Sequence, residues 1–472
     1  MSVLSKDGDV RSHSPKKNPS EIKSEAESHD GVDKEEERVL REFEFYHGFL
    51  PREDLFCLLK YVGEFLIRIS EVENDPHQKM KREIILSVVC EGSPTDLTRV
   101  AKTDEKDDEM PAKKTSEKKV RGKLKNVIVR RKNGKYLVEM ARLFESIPQL
   151  INHYRVTPGK LNKITFILKY PIKQQPWEYN HGDVQQGRLL GEGAFGEVRA
   201  GTLKLKSGKV VDVAIKVTKG CSDLGKAKIK EMMKEARLMR NFRHRNVVRI
   251  YGVAVDEQPL YIILELVTGG ALNTFLREHA NQVEVKTKLD MCLGAALGVE
   301  YLHSNQCMHR DLAARNCLIT PDRVVKISDF GLSRLGVHYK LRTAMKLPIK
   351  WLAPETITMF IFSLKTDVFS FGVLAYEIFA DGAEPWDGQT NAEVKVAVIE
   401  GKCVTFPRCT PEKLRRFFVE RVFAMNPAVR ATMTEVVKYL QVCGGTVNNS
   451  RRSSQMSDLR HPQTESRRNR SK

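Results

Sequence analysis

The sequence is poor in the features that mark secreted, membrane-spanning or metal-stapled proteins. Its nine cysteines are scattered without a C-x-x-C pair, which argues against a zinc site or a disulfide framework and favours free thiols in a reducing compartment. No stretch approaches the roughly 20 apolar residues of a membrane span, and the N-terminus lacks the apolar core of a signal peptide. Ser2 stands where myristoylation needs a glycine. These absences predict a soluble, cytoplasmic protein that reaches membranes only through partners.

The charge of the chain is strongly basic. It carries 79 Lys and Arg against 60 Asp and Glu, a formal net charge of +19. Such a charge fits nucleic acid, an acidic membrane surface or phosphorylated partners. None of the usual nucleic-acid motifs is present, so a basic surface with basic tails is the preferred interpretation and no nucleic-acid partner is expected.

Composition divides the chain into two apolar blocks with polar segments around and within them. The polar ends are predicted to be disordered because they bury too little apolar surface to repay the entropy of ordering. Prolines mark a short linker between the blocks. The predicted segments are a disordered arm 1–42, a first domain 45–170 with a charged loop at about 91–120, a linker 171–183, a second domain 184–443 and a basic disordered tail 444–472.

The first domain places a charged residue where a strand should be apolar. The run 64–70 reads as a buried strand, and Arg68 stands among its apolar residues. An unpaired buried charge costs several kcal/mol, so Arg68 needs an anion. A phosphate ligand is the preferred anion, and a local glutamate is the alternative. Helices are predicted near 51–59 and 146–154, with further strands at 84–89, 127–129 and 136–138.

The order of these elements carries a family resemblance. Phe45-Tyr46-His47-Gly48 before the first helix and Phe65-Leu66-Ile67-Arg68 after it resemble an SH2 domain, whose fold is a central antiparallel sheet flanked by two helices. The resemblance implies that Arg68 binds the phosphate of phosphotyrosine. It also implies that Arg52 lies near the phosphotyrosine ring and that Ser70 contacts the phosphate.

Two departures from the SH2 pattern bear on the phosphate pocket. Asn126 stands where the family usually has a histidine. The segment after Arg68 offers Glu71 and Glu73 rather than several hydroxyls, and inward-pointing carboxylates would repel a phosphate. Both departures predict a weakened affinity for phosphopeptides, although the fold is unaffected.

The second domain opens with a glycine-rich pattern. The run 190–198 contains G-x-G-x-x-G, which by itself is shared with dinucleotide-binding folds. Those folds begin a helix here, whereas the following 197–203 is β-prone, as a hairpin over phosphates requires. The next strand ends in Val213-Ala214-Ile215-Lys216. This order indicates an ATP site in which Lys216 pairs with phosphates and Glu235, on the next helix, orients it.

Three later motifs supply the chemistry of phosphoryl transfer. They are His309-Arg310-Asp311-Leu312-Ala313-Ala314-Arg315-Asn316, Asp329-Phe330-Gly331 and Ala353-Pro354-Glu355. Asp311 is predicted to accept the proton of the substrate hydroxyl, while Asn316 and Asp329 hold Mg²⁺, with Mn²⁺ as an alternative. No covalent intermediate is needed.

Together these motifs resemble a protein kinase domain, with a β-rich N-terminal lobe and a helical C-terminal lobe, so the whole chain is expected to be α+β. In that family Leu264 is the gatekeeper beside adenine, and Glu265 and Val267 offer backbone groups to it. The ATP-site residues implied by the resemblance are Leu190, Gly191, Glu192, Gly193, Ala194, Phe195, Gly196, Val198, Ala214, Lys216, Leu264, Glu265 and Val267.

Two segments resemble the tyrosine-specific form of that domain. Ala313-Ala314-Arg315 replaces the lysine-bearing loop of serine/threonine kinases, and the resemblance implies that Arg315 reaches the substrate side. Leu347-Pro348-Ile349-Lys350-Trp351 resembles the tyrosine-kinase substrate platform. Serine/threonine or dual specificity is the alternative.

The resemblance also implies structural and regulatory roles. Glu355 is expected to pair with Arg430, and Asp367 to brace the catalytic loop from a buried helix. Tyr339 is the only tyrosine between the Asp-Phe-Gly and Ala-Pro-Glu motifs, which makes it a candidate for autophosphorylation with Arg310 as the phosphate ligand. A surface tyrosine without a regulatory role is the alternative.

The order of an SH2 domain, Trp177, the kinase domain and Gly269-Gly270 resembles the Fer/Fes group of cytoplasmic tyrosine kinases, without the long N-terminal F-BAR region of those proteins. The resemblance implies ATP-dependent phosphorylation of protein tyrosines and recruitment to phosphotyrosine proteins. A pseudokinase adaptor that binds phosphotyrosine without catalysis is the alternative from a different class.

Overall fold

A computed structural model of the chain describes residues 32–72, 81–91, 121–162, 164–193, 196–218, 226–342 and 347–444. The predicted charged loop beyond residue 91 and the predicted tail beyond residue 444 lie outside these ranges. In the ranges that are described, no helix has both the length and the apolar character needed to cross a bilayer.

The described chain alternates β-rich and helical regions. The helices are α1 Lys34–Arg41, α2 Arg52–Leu58, α3 Ile147–Val156, α4 Lys226–Met239, α5 Leu272–Glu278, α6 Val285–Ser304, α7 Pro354–Met359, α8 Leu364–Phe379, α9 Asn391–Ile399, α10 Glu412–Phe417 and α11 Met433–Val442. The strands are β1 Glu64–Val72, β2 Lys81–Cys90, β3 Lys123–Ile128, β4 Arg130–Lys132, β5 Lys135–Leu137, β6 Gly159–Leu161, β7 Ile164–Phe166, β8 Tyr170–Pro171, β9 Glu178–Tyr179, β10 Val184–Gly193, β11 Gly196–Lys204, β12 Val210–Thr218, β13 Ile250–Ala254, β14 Tyr261–Glu265, β15 Cys307–Met308, β16 Cys317–Ile319, β17 Val325–Ile327, β18 Arg334–Leu335, β19 His338–Lys340 and β20 Ile361–Ser363.

The N-terminal unit is built on a four-stranded sheet in the order β3-β2-β1-β8. The β1–β2 and β2–β3 pairs are antiparallel, whereas β8 joins β1 in parallel at the edge. Helices α2 and α3 bury Leu55 and Leu150 completely. Ser146 starts α3 because its hydroxyl accepts the Gln149 N–H at 3.4 Å. The strands and helices predicted for this block are therefore present, and β8 is an unpredicted parallel edge strand of the sheet.

Residues 34–41 form helix α1, so the prediction of a disordered arm over 1–42 is wrong for this part. Asp33 and Glu36 cap the helix reciprocally: Asp33 Oδ1 accepts the Glu36 N–H at 2.8 Å, and Glu36 Oε2 accepts the Asp33 N–H at 3.2 Å. Leu40 is fully buried, and Glu36 also accepts a hydrogen bond from Tyr136 at 2.6 Å. Tertiary contacts stabilise a segment whose polar composition alone favours disorder.

The C-terminal unit has a β-rich lobe followed by a helical lobe, as predicted. The β-rich lobe is a six-stranded sheet in the order β10-β11-β12-β14-β13-β9. Its last strand comes from the predicted linker and pairs in parallel with β13. A Cβ at Gly252 would lie 2.1 Å from the Trp177 carbonyl oxygen, so this close approach requires glycine. Helices α6 and α8 form the centre of the helical lobe, where half of the residues of α6 and most of those of α8 are buried.

The two units are in direct contact. The Phe49 N–H donates to the Val255 carbonyl at 2.8 Å, and Gly48 adopts φ +52° where a Cβ would lie 1.9 Å from the same oxygen. The Arg237 guanidinium of α4 forms two hydrogen bonds to Asp54 of α2, at 2.8 and 2.7 Å. The N-terminal unit therefore contacts the helix that carries Glu235.

Candidate active site

The ion pair predicted between Lys216 and Glu235 is formed. Lys216 Nζ lies 3.0 Å from Glu235 Oε1 and 2.9 Å from Oε2, and the glutamate is buried. Burial raises the pKa of Glu235, while the Lys216 ammonium acts in the opposite direction. The charge of Asp329 also acts on Glu235, so the pair lies near the Asp-Phe-Gly motif.

Strand register places the glycine-rich hairpin beside the strand that carries Lys216. Gly191 lies opposite Val198 across β10 and β11, and Val198 lies opposite Lys216 across β11 and β12. A Cβ at Gly191 would meet no atom within 4 Å, so open space adjoins the backbone there. The predicted ATP-site residues Ala194 and Phe195 lie outside the described residues.

The segment predicted to contact adenine runs along β14 and beyond it. Ala214 pairs with Leu264 across β12 and β14, so the two predicted adenine neighbours lie side by side. The Glu265 carboxylate pairs with Lys326 at 3.0 Å and accepts the Arg249 N–H at 3.1 Å. The sequence interpretation considered only backbone groups at Glu265 and missed this side-chain link to the strand that precedes Asp329.

Asp367 fixes the backbone of the predicted catalytic loop through hydrogen bonds. This buried carboxylate of α8 accepts the backbone N–H groups of His309 and Arg310 at 2.7 and 2.9 Å. Arg310 has φ +72°, a conformation that costs energy for a residue with a side chain and persists where its surroundings fix it. The bonds from Asp367 supply that constraint.

The predicted base and its neighbours form a connected group. Arg315 Nη2 donates to Asp311 Oδ1 at 2.6 Å. The side-chain amide of Asn316 donates to the Asp311 carbonyl at 2.8 Å, which leaves the amide oxygen as the atom that can ligate a cation. Asp329 is exposed, with φ +55°. The structure thus brings one base candidate and two oxygen donors of the kind that Mg²⁺ prefers into one region.

Tyr339 lies beneath two arginines. The Arg310 guanidinium is 4.9 Å from the centre of its ring, and that of Arg334 is 4.0 Å away. Arg310 donates to the Leu332 carbonyl at 3.0 Å, but its Nε and Nη2 are buried and have no hydrogen-bond partner among the described residues. Burial lowers the pKa of Arg310. A phosphate on Tyr339 could supply the missing acceptors, and Arg334 is a second cation that sequence reasoning missed.

The predicted structural pair is present as well. Arg430 Nη1 and Nη2 donate to the two carboxylate oxygens of Glu355 at 2.7 and 3.0 Å, and both residues are buried. Arg430 also donates to the carbonyls of Ala424 and Lys365 at 3.0 and 2.8 Å. These contacts tie α7 to α8 and to the segment before α11.

A second candidate site surrounds Arg68 in the N-terminal unit. Arg68 is buried and donates to Ser87 Oγ at 3.3 Å, the Leu50 carbonyl at 3.4 Å and Asn126 Oδ1 at 3.1 Å. All three acceptors are neutral, and among the described residues no carboxylate lies within ion-pair distance. Burial, followed by the charge of Arg52, lowers the pKa of Arg68 to about 10.

The two predicted departures take different positions. Asn126 accepts hydrogen bonds from both Arg68 and Ser87, at 3.1 and 2.8 Å, so it orients the arginine rather than leaving a gap. Glu71 belongs to strand β1 and is buried, instead of lying in a loop. Glu73 lies outside the described residues. Ser70 is half-buried one residue before Glu71.

Comparison with known proteins agrees with this geometry. Residues 184–440 match the family model "Protein tyrosine and serine/threonine kinase". The chain is 35% identical to human tyrosine-protein kinase Fer over 410 residues, which cover 86% of this chain and 44% of Fer. It is 33% identical to the transforming protein Fps of avian sarcoma virus (strain PRCII) over 397 residues, covering 83% of this chain and 66% of Fps.

A nematode relative matches along nearly its full length. Fer-related kinase 1 of Caenorhabditis elegans is 33% identical over 404 residues, which cover 85% of this chain and 94% of that protein. By contrast, the chain spans less than half the length of human Fer. The matches confirm the predicted resemblance to the Fer/Fes group. The chain belongs to the protein tyrosine and serine/threonine kinase family.

Proposed function

We propose that this chain is a protein-tyrosine kinase that transfers the terminal phosphoryl group of ATP to tyrosine hydroxyls of proteins. The observation that carries the proposal is the Lys216–Glu235 pair at 2.9 Å, which lies close enough to Asp329 for that carboxylate to act on Glu235. Phosphoryl transfer needs positioning and charge neutralisation more than covalent chemistry. Tyrosine-kinase names among the relatives add support.

In this proposal Asp311 accepts the proton of the tyrosine hydroxyl, and Lys216 binds the α- and β-phosphates. Glu235 fixes Lys216, because a buried carboxylate with one cationic partner holds that partner in place. Backbone groups at Glu265 and Val267 position adenine beside Leu264. The remaining ATP contacts fall on the hairpin around Gly191 and Val198.

The metal donors fit Mg²⁺. Asn316 and Asp329 would hold the ion through one amide and one carboxylate oxygen, which are hard ligands of the type Mg²⁺ takes alongside water and phosphate. When bound, Mg²⁺ neutralises charge on the transferred phosphoryl group. Mn²⁺ accepts the same ligands.

Preference for tyrosine is supported by the platform beside Asp311. The Arg315 guanidinium lies 4.2 Å from the centre of the Trp351 ring and donates to Asp311. This contact links the platform to the base and leaves Arg315 beside the substrate. In this proposal the long tyrosine side chain reaches Asp311 from the platform, and the shorter side chain of serine does not.

We also propose that residues 45–170 form an SH2 domain whose Arg68 binds the phosphate of phosphotyrosine. The support is a buried guanidinium with only neutral acceptors, in a sheet with helices before and after it. Arg52 lies close enough for its charge to act on Arg68, so a phosphate there would face two cations. Recruitment to phosphotyrosine proteins would raise the local concentration of substrate.

Contact between the units supports regulation of the kinase by this domain. Asp54 binds Arg237 of α4 at 2.7 Å and Arg240, which directly follows α4, at 3.1 Å, and α4 carries Glu235. Phosphorylation of Tyr339 is a second proposed control, since Arg310 and Arg334 face its ring. The cysteines in the described ranges are free, in keeping with a cytoplasmic location.

The test is phosphate transfer from radiolabelled ATP to a tyrosine-containing polymer by the full chain. Lys216→Met and Asp311→Asn should each lower transfer by at least 100-fold, whereas Lys402→Met, a matched exposed lysine, should not. Equal background from all proteins would leave only the adaptor function. Phosphoamino-acid analysis should return phosphotyrosine, and a predominance of phosphoserine would contradict the proposed specificity.

A further inference from the structure

A buried glutamate that no sequence motif singled out lies under the active site. Glu377, in the middle of α8, is buried. Its Oε2 accepts two hydrogen bonds, from the Ala314 N–H at 2.8 Å and from the Trp351 Nε1–H at 3.0 Å. Both donors are neutral groups, so among the described residues this carboxylate has no hydrogen-bonded cation to offset its loss of water.

The two donors belong to segments that must meet for catalysis. Ala314 lies in the catalytic loop three residues after Asp311, and Trp351 lies in the substrate platform. Trp351 supports the Arg315 guanidinium at 4.2 Å, and Arg315 donates to Asp311 at 2.6 Å. One carboxylate oxygen therefore connects the platform, the loop and, through Arg315, the base.

We propose that Glu377 is a positioning residue whose ionised carboxylate holds the substrate platform against the catalytic loop, so that transfer to tyrosine weakens when this carboxylate is protonated. The inference rests on the proposed tyrosine-kinase function. Its physical basis is that an ionised oxygen accepts both N–H groups about twice as strongly as a neutral acid does. A protonated Glu377 also carries an O–H that needs an acceptor of its own.

The surroundings of Glu377 bring the pKa of its carboxyl group close to neutral pH. Burial raises the pKa of Glu377 to about 7, against the opposing effects of the Trp351 and Ala314 hydrogen bonds and of the Arg315 and Arg277 charges. Among the described residues, the thiol of Cys317 and the phenol of Tyr376 also interact electrostatically with Glu377, and both are neutral near pH 7 because burial raises the pKa of each.

The first test compares the pH dependence of kcat and KM for the wild-type chain and Glu377→Gln between pH 6 and 8.5. In the wild type, kcat should fall about 10-fold from pH 8 to pH 6 along a limb with an apparent pKa near 7. In Glu377→Gln this limb should disappear while KM for ATP stays within about 2-fold. The matched variant Glu400→Gln, at an exposed glutamate, should keep the wild-type profile.

A second variant should shift the acid limb of the pH profile in a defined direction, which a general loss of folding would not do. Trp351→Phe removes the Nε1–H but keeps a ring for Arg315. Since the lost hydrogen bond favours the ionised carboxylate, the acid limb should move to higher pH. An unchanged limb in both Trp351→Phe and Glu377→Gln would overturn the inference.

Thermal melting tests the protonation of Glu377 in the folded protein without relying on activity. A carboxyl group whose pKa is raised in the folded state stabilises the fold below its unfolded pKa of about 4.3 and loses that contribution as pH rises through the folded value. The melting temperature of Glu377→Gln relative to wild type should therefore be higher at pH 8 than at pH 6. Equal differences in melting temperature at the two pH values would overturn the inference. This measurement does not depend on activity, so it remains decisive if no transfer is detected. Absence of transfer would contradict the proposed kinase function instead.

Discussion

The two units each bury an arginine, but they treat its charge in opposite ways. Arg430 in the C-terminal unit meets the carboxylate of Glu355 in a two-pronged ion pair. Arg68 in the N-terminal unit meets two side-chain oxygens and one backbone carbonyl, all of them neutral. Both are at least 95% buried, so the difference lies in the partners and not in exposure to water.

The comparison distinguishes a structural charge from a charge that is kept for a ligand. A buried cation with a built-in carboxylate is already compensated and adds rigidity. A buried cation with only neutral acceptors pays much of its desolvation cost in the free protein and regains it when an anion binds. Stability should therefore depend on Arg430, whereas ligand binding should depend on Arg68.

Replacing Arg430 should have the largest effect. Arg430→Met leaves the Glu355 carboxylate buried without its cation, which costs about 3–5 kcal/mol in the free energy of unfolding. Urea or thermal unfolding of the full chain measures it. Arg421→Met is the matched control, because Arg421 pairs with Glu435 on the surface and should cost at most about 1 kcal/mol. Similar losses from the two variants would remove the contrast.

Replacing Arg68 should affect binding and leave stability nearly intact. Arg68→Met should weaken binding of a phosphotyrosine peptide by about 2–5 kcal/mol, since the phosphate loses its buried cation. The free energy of unfolding should stay within about 1 kcal/mol of wild type, because an uncompensated buried charge is removed. Calorimetric titration and unfolding, with exposed Arg130→Met as control, measure both. A large loss of stability with unchanged affinity would mean that Arg68 is structural, like Arg430.

The next effect concerns the contact that joins the units. Asp54→Asn should lower the free energy of unfolding by about 1.5–3 kcal/mol, because Arg237 in α4 and Arg240 directly after it lose a charged acceptor, and should lower kcat by loosening α4. Glu53→Gln is the neighbouring control, whose partner Lys230 is largely exposed. If Asp54→Asn kept full stability and full kcat, the contact would have no regulatory part.

The smallest effect is a pH dependence at the same junction. His47 is fully buried; Nδ1 faces Glu178 at 2.8 Å and Nε2 faces the Ile172 carbonyl at 2.9 Å. Burial alone would lower the pKa of His47, but these acceptors outweigh it and raise the pKa. Arg240 is the further charge that acts on Glu178. The protonated form is therefore favoured at the junction.

The sign of this effect follows from linkage. Stabilisation by His47 is fully present below its unfolded pKa of about 6.5 and is lost as pH rises through the folded value. The melting temperature of the wild type should exceed that of His47→Gln by more at pH 6 than at pH 9. A rise of the His47 pKa by one would correspond to about 1.4 kcal/mol in the free energy of unfolding. Glu178→Gln should remove the same difference. A gap that widened toward pH 9 would reverse the assignment.

The family and the ordering of the catalytic motifs could be predicted from the sequence because each motif is short and its residue types are tied to one chemistry. Lys216 and Glu235 needed only a strand followed by an amphipathic helix. Helix α1 could not be predicted because its stability depends on Tyr136, a hundred positions away. Glu377 and Asp54 were missed for the same reason: Ala314 is 63 positions from Glu377, and Arg237 is 183 from Asp54. No local pattern marks such pairs.

The proposal that one chain both binds phosphotyrosine and phosphorylates tyrosine can be tested with a peptide that carries two sites. The peptide called primed carries one free tyrosine and, at a distance that both units can span, one phosphotyrosine. Its unprimed twin carries phenylalanine in place of the phosphotyrosine. Wild type should phosphorylate the primed peptide with a KM at least 10-fold lower than the twin, while Arg68→Met should treat the two alike at unchanged kcat. Equal KM values for both peptides with the wild type would contradict the account.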